Sequence, residues 1–218
     1  MLGVARRAVS TAWPLPEATY RRLYLEASSG SLLSDSPEQS AVAQYDALSE
    51  QGCASFDFKF QEDTRVVGHM RLRLHVSADA EDMDLFVAIY KIDRSGKSVP
   101  FAFCWIHDDG PVALGWLRVS HRELDEKKST PYQPFHKHAR LLKLKPGEIV
   151  PVEIEIWPSS TLFEKGEKLR LVVQGSDINM YPGQIATYLH MAYVNRGEHV
   201  IHTGGKYDSA LLVPVIPG

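Results

Sequence analysis

A chain of 218 residues, 44% hydrophobic and 23% charged, carries enough apolar material for a sizeable core, and its length suits a single all-β domain. A formal charge of −3 excludes the strongly basic face that a polyanion partner requires, so nucleic acid is not expected. No apolar run approaches the ~20 residues that cross a bilayer, so no membrane partner is expected either.

The start, Met1-Leu2-Gly3-Val4-Ala5-Arg6-Arg7, places its basic residues after the apolar ones, the reverse of a secretory signal. Pro14 and Pro16 exclude helix interior, so residues 1–19 are expected to form an extended lead-in, with a β-sandwich over 20–218. Arg22 to Leu25 reads as a short strand. Ser34 to Gly52 reads as a polar surface excursion with a possible helical turn over Ala41 to Leu48.

Alternation begins at Phe56, Phe58 and Phe60. It continues from Val66 to Val76, with Met70, Leu72, Leu74 and Val76 on one face and Arg71, Arg73 and His75 on the other. After the acidic turn Asp79 to Asp82, the run Met83 to Tyr90 is apolar on both faces, as a central strand must be. Asp93-Arg94-Ser95-Gly96-Lys97 then turns the chain back. Further strands are expected over Val112 to Val119, over Val150 to Ile156 with Glu153 and Glu155 outward, and over Leu169 to Val173, with shorter pieces to the end. About ten to twelve strands at short spacing, without a βα alternation, predict two antiparallel sheets packed face to face.

The patterns that carry chemistry are mostly missing. Gly175-Ser176-Asp177 lacks the second glycine and the helix of a nucleophile elbow and reads as a strand-end turn. His136 and His138, two apart, could share a strand face and chelate, whereas His199 and His202, three apart, point to opposite faces. With no cysteine or carboxylate at ligand spacing beside them, no metal site and no cofactor is expected. Asp79, Glu81, Asp82 and Asp84 could offer oxygens to calcium, but a solvated acidic hairpin is the simpler reading. Trp13, Trp105, Trp116 and Trp157 could make a sugar-stacking platform, but are expected to be partly buried core. Cys53 and Cys104 sit in strand-like surroundings and are expected to be buried and reduced, which fits a cytoplasmic location.

Four stretches together resemble the C-terminal domain of the X-Pro dipeptidyl-peptidase and CocE/NonD serine hydrolase family. They are Gly68 to Ser77 with Asp84 to Val87 and Asp93 to Gly96; Gly115 to Arg122; Leu144 to Glu148 through Phe163 and Leu169 to Leu171; and His202 with Ser209 to Pro214. The resemblance covers nearly all of Tyr20 to Pro217. It implies a galactose-binding-like jelly roll that is itself non-catalytic, while a separate α/β-hydrolase domain supplies the serine, aspartate and histidine of acyl transfer. No residue here matches a triad position, so no catalytic residue is assigned. The chain departs from the family at Gly166-Glu167-Lys168-Leu169, where relatives often have Gly-His-Arg-Leu, and in Ser34 to Gly52, where some relatives use a Gly-rich loop.

Two functions therefore stand as expectations. One is an accessory domain that shapes a hydrolase cleft, partnered by an α/β-hydrolase domain or by self-association through Trp13 to Leu25 and Pro131 to His138, with Tyr132 and Phe135. The other is a free-standing jelly roll that binds a carbohydrate or protein.

Overall fold

The computed structural model of the protein describes residues 10–103, 107–178 and 194–217. Its strands are β1 (Thr19–Glu26), β2 (Ser31–Leu33), β3 (Ala41–Asp46), β4 (Cys53–Lys59), β5 (Thr64–Ala78), β6 (Asp84–Ile92) and β7 (Ser98–Val99). They continue with β8 (Phe101–Phe103), β9 (His107–Gly110), β10 (Ala113–Arg118), β11 (Val150–Phe163), β12 (Lys168–Gln174), β13 (Glu198–Thr203) and β14 (Ala210–Pro217). Among the described residues the helical content is one 3₁₀ turn, Val119–His121. The all-β expectation holds.

One layer runs β10-β6-β12-β4, and the other is built on β5, which pairs with β11 along one edge and with β14 and β13 along the other. β1 and β2 extend the second layer beyond β14, and β3 extends it beyond β13. A single parallel bridge, Ser31 to Asp57, ties β2 to β4 and so links the layers. Every other strand pairing is antiparallel, as a jelly-roll sandwich requires.

The alternation in β5 has the consequence its spacing dictates. Met70, Leu72, Leu74 and Val76 are fully buried in one continuous core with Ile154, Ile156 and Leu211 of their own layer and Leu85, Val87, Leu171 and Phe56 of the other. β6 lies between β10 and β12 and is buried from Asp84 to Ile89, in keeping with its two apolar faces. The Asp93 to Lys97 turn closes on the Asp93 carboxylate, which accepts the amides of Ser95 and Lys97, while Gly96 takes φ 87°.

Ala41 to Asp46 is a strand rather than the expected helical turn. β3 pairs with β13 over its whole length, and Tyr45 reaches the core while Val42 and Gln44 face out. An apolar residue at exposed position 42 disguises the period of two. The parity of β11 also changes midway: even positions are buried through Ile156, odd ones at Thr161 and Phe163. The register slips between Ile156 and Ser159, where Trp157 and Pro158 form a bulge that a proline can occupy.

His199 of β13 is fully buried, its Nδ1 3.2 Å from the Tyr45 hydroxyl, and burial pushes its pKa down from 6.5 to about 4. A folded-state pKa below the unfolded value means that the unfolded chain binds the proton first, so stability falls as pH drops from 6.5 towards 4. The full shift corresponds to about 3 kcal/mol. His75, His136 and His202, all lowered mainly by burial, act in the same direction. Urea unfolding at pH 7 and pH 4.5 is expected to show this loss, and His199→Asn is expected to shrink it. An undiminished pH dependence in that variant would contradict the assignment.

Candidate functional site

The outward face of β5 carries His69, Arg71, Arg73 and His75, and β11 sets Glu153 and Glu155 beside them in register with Arg73 and Arg71. Glu153 stands between two guanidinium groups, with Arg71 Nε at 3.3 Å and Arg73 at 3.0 Å, and Arg73 also reaches Asp208 at 2.9 Å. Glu155 accepts from Gln133 Nε2 at 2.8 Å and lies 3.5 Å from His69 Nδ1. The Arg71 and His69 approaches are close but lack hydrogen-bond alignment. Glu153 Oε2 and His69 Nδ1 are therefore buried without a hydrogen-bond partner, as are His75 Nδ1 and the Tyr20 hydroxyl. Such orphaned atoms cost free energy unless something else satisfies them.

Two segments lie over this charged layer. From the lead-in, the Trp13 ring meets His69 edge-on at 6.0 Å. From the connection after β10, Tyr132 stacks on Tyr20 at 4.9 Å, and His136 Nε2 lies 3.0 Å from the Glu153 carbonyl. Burial, with Tyr132 beside it, pushes the Tyr20 hydroxyl up to about 12. The lead-in and the 131–138 loop, expected on one surface from their composition, do meet there.

Exposed aromatics rim the layer. Trp13 is 54% exposed and Phe135 46%, the latter with the Lys128 ammonium 4.7 Å over its ring. Trp157, 50% exposed on the β11 bulge, packs edge-on against exposed Trp116 of β10 at 5.0 Å. This corrects the expectation of partly buried tryptophans: Leu117 and Ile156 take the inward positions, which turns Trp116 and Trp157 out. Trp105 lies outside the described residues.

The acidic turn is also corrected. Asp82 and Asp84 are buried rather than solvated. Asp82 accepts from the amides of Met83 and Ser120 and from Lys143, and its pKa is lowered although burial itself pushes the other way. Asp84 holds Arg118 through both oxygens. Oxygens already engaged in this way do not form a calcium site. Cys53 is likewise exposed and free, not buried, because Ala54 and Phe56 take the inward positions of β4. Cys104 lies outside the described residues.

Gly175-Ser176-Asp177 is the strand-end turn its sequence suggests, with Gln174 Nε2 donating to the Ser176 and Asp177 carbonyls. His199 and His202 do point to opposite faces of β13. His136 and His138 do not share a strand face: their ring centroids are 6.1 Å apart, and His138, at φ 51°, turns towards His121 instead. Glu167, at the departure from the family pattern, is buried and pairs with Lys91 at 2.8 Å.

One serine and histidine pair escaped the sequence. Ser77 Oγ lies 2.9 Å from His202 Nε2, under the Tyr207 ring. Ser77 is only 6% exposed, and the nearby Asp208 faces His75 and Arg73. That burial leaves little room for a carbonyl carbon beside the Ser77 hydroxyl.

The model of the X-Pro dipeptidyl-peptidase C-terminal non-catalytic domain matches residues 1–212. A CocE/NonD family hydrolase from Staphylococcus aureus superposes with a TM-score of 0.92 at 50% identity, covering 96% of this chain and 39% of its own. An aminopeptidase from the marine sediment archaeon Thaumarchaeota archaeon superposes with a TM-score of 0.67 at 16% identity, over 94% of this chain and 38% of its own, and shows the fold alone. A putative serine esterase from Mycobacterium bovis is 26% identical over 121 residues, 53% of this chain and 17% of its own. The chain thus spans well under half the length of each of these relatives.

Proposed function

The chain belongs to the X-Pro dipeptidyl-peptidase C-terminal non-catalytic domain family, and from that premise we propose that it serves a CocE/NonD-type serine hydrolase as its accessory sandwich. An α/β-hydrolase domain performs acyl-ester or peptide hydrolysis, and this chain docks on it and helps wall its cleft. One observation supports the docking surface: Trp13, Phe135 and Trp157, each about half exposed, rim the outward face of β5 and β11. A partner laid on that face covers Trp13, Phe135 and Trp157. The free thiol of Cys53 suits a reducing, cytoplasmic setting. The carbohydrate-binding alternative has less support, since Trp116 and Trp157 meet at 68° and offer no flat two-ring platform.

The reading is tested on the chain alone by ester and dipeptide turnover together with intact-mass analysis after a fluorophosphonate probe. Neither turnover nor adduct is expected, because acyl transfer needs an accessible, activated nucleophile. A stoichiometric adduct, at Ser77 or elsewhere, would overturn it.

A further inference from the structure

His138 and His121 meet across the connection that follows β10, with their Nδ1 atoms 3.1 Å apart and their ring centroids at 5.1 Å. His121 is fixed by the 3₁₀ turn Val119–His121, whose first two residues are buried. His138 takes the left-handed φ of 51°, which is uncommon for a residue other than glycine and is found where surroundings impose it. The neighbours that impose it are visible: Lys137 and Arg140, on either side, both bind Glu123, at 3.1 and 2.8 Å. The left-handed turn at His138, flanked by these two ion pairs, thus places one imidazole against another at the surface.

Two ring nitrogens bound to one divalent ion at 2.0–2.1 Å stand about 2.9–3.4 Å from each other for ligand angles between square and tetrahedral. The observed 3.1 Å falls inside that interval. A third imidazole is close. His136 has its ring centroid 6.1 Å from that of His138. Its Nε2 faces the Glu153 carbonyl at 3.0 Å, and a carbonyl can only accept, so Nε2 carries the proton and Nδ1 the lone pair. A ring N–H given to a backbone carbonyl is the usual support of a metal-bound histidine. Among the described residues no set of three or more His, Cys, Asp or Glu side chains is already gathered around one point. The site is therefore a two-nitrogen clamp with a third ring in reserve.

We propose that His121 and His138 form a surface site for a borderline divalent transition ion such as Zn²⁺ or Ni²⁺, with His136 as an additional ligand. The all-nitrogen donor set favours these ions over calcium or magnesium, which take oxygen. Because the ligands come from the 3₁₀ turn after β10 and from the loop that covers β5 and β11, a bound ion would pin that loop to the sandwich. That is a structural role, separate from hydrolysis.

The test is a calorimetric titration of the untagged 218-residue chain with Zn²⁺, in a Cys53→Ser background so that the exposed thiol does not compete. One saturable equivalent is expected. Affinity should fall at least about tenfold in His121→Ala and in His138→Ala, since even altered outer partners of a ligand cost that much, and by a smaller factor in His136→Ala. Imidazole ¹⁵N spectra of the parent chain provide a readout that needs no ring deletion, and the Nδ1 resonances of His121 and His138 should move together on adding Zn²⁺. Absence of saturable binding, or binding undiminished in both His121→Ala and His138→Ala, would overturn the proposal and leave the contact as an N–H to N hydrogen bond only.

Discussion

Replacing Asp84 by alanine is expected to lower the unfolding free energy by about 3 kcal/mol, near the lower end for breaking a buried ion pair because the Arg118 partner is partly exposed. Asp84 is a junction as well as a charge. Its carboxylate takes Arg118 at 2.7 and 3.0 Å and the Val194 amide at 3.0 Å, and its own amide donates to Asn195 Oδ1 at 2.6 Å. Asn195 Nδ2 returns to the Asp84 carbonyl and to that of Gly175. The Asp84 carboxylate thus fastens the end of β10 and the segment leading into β13 to the start of β6, and the Asn195 side chain adds the turn after β12. Alanine removes the carboxylate that the Val194 amide and the Arg118 guanidinium share, and a part-buried donor that loses its acceptor costs part of its desolvation. For a chain of this size the change corresponds to a melting point lower by about 6–12 °C. Asp84→Asn, which keeps the shape and one acceptor oxygen, should fall between. A shift below about 2 °C for the alanine variant would show that the junction is redundant.

Gly115→Ala is expected to be comparably damaging through sterics alone. A Cβ on Gly115 would lie 2.3 Å from the Glu155 carbonyl oxygen and 3.2 Å from its carbon, and backbone atoms cannot swing aside as a side-chain end can. β10 and β11 close the edge of the sandwich at this point, so the added methyl must push two strands apart. Overpacking of a tight site costs about 1–3 kcal/mol, and a clash with backbone belongs at the top of that range. The change should also loosen the neighbouring Trp116 and Trp157 pair, so tryptophan fluorescence should shift in the folded variant, while Gly147→Ala, strained by its φ of 75° but with nothing within 4 Å of the new Cβ, should lower stability without shifting the fluorescence of the folded protein. Equal fluorescence in parent and Gly115→Ala would show that the edge absorbs the methyl.

The fold was legible wherever the alternation was strict. β5, β6 and the first half of β11 follow from their sequences because each inward position is apolar and each outward one polar or covered. β3 was not legible, because Val42 is apolar on the exposed face and Asp46 ends the strand within the polar excursion. The second half of β11 was hidden by Trp157-Pro158, which looks like a stop and is a bulge, and only the partner strand reveals that pairing resumes at Ser159.

For the candidate surface, the lead-in and the 131–138 loop were visible as aromatic, proline-containing segments. Arg71 and Arg73 match Glu155 and Glu153 in charge, but that they face each other is shown by the register of β5 with β11 and not by either strand's own spacing. His121 beside His138 and Ser77 beside His202 carried no such signal. The first depends on a single left-handed residue, the second on the register of β13, and neither is written in local spacing.

The central claim is that the outward face of β5 and β11, with its covering segments, docks on a catalytic domain. The most direct measurement grafts this chain in place of the matching 39% of the S. aureus CocE/NonD hydrolase and compares amide hydrogen exchange of the graft with that of the free chain. In a graft that retains hydrolytic activity, exchange at residues 13–20, 131–138 and around Trp157 is expected to slow, while the β3 edge stays as it was. Unchanged exchange at those three segments in an active graft, or protection confined to β3, would contradict the account.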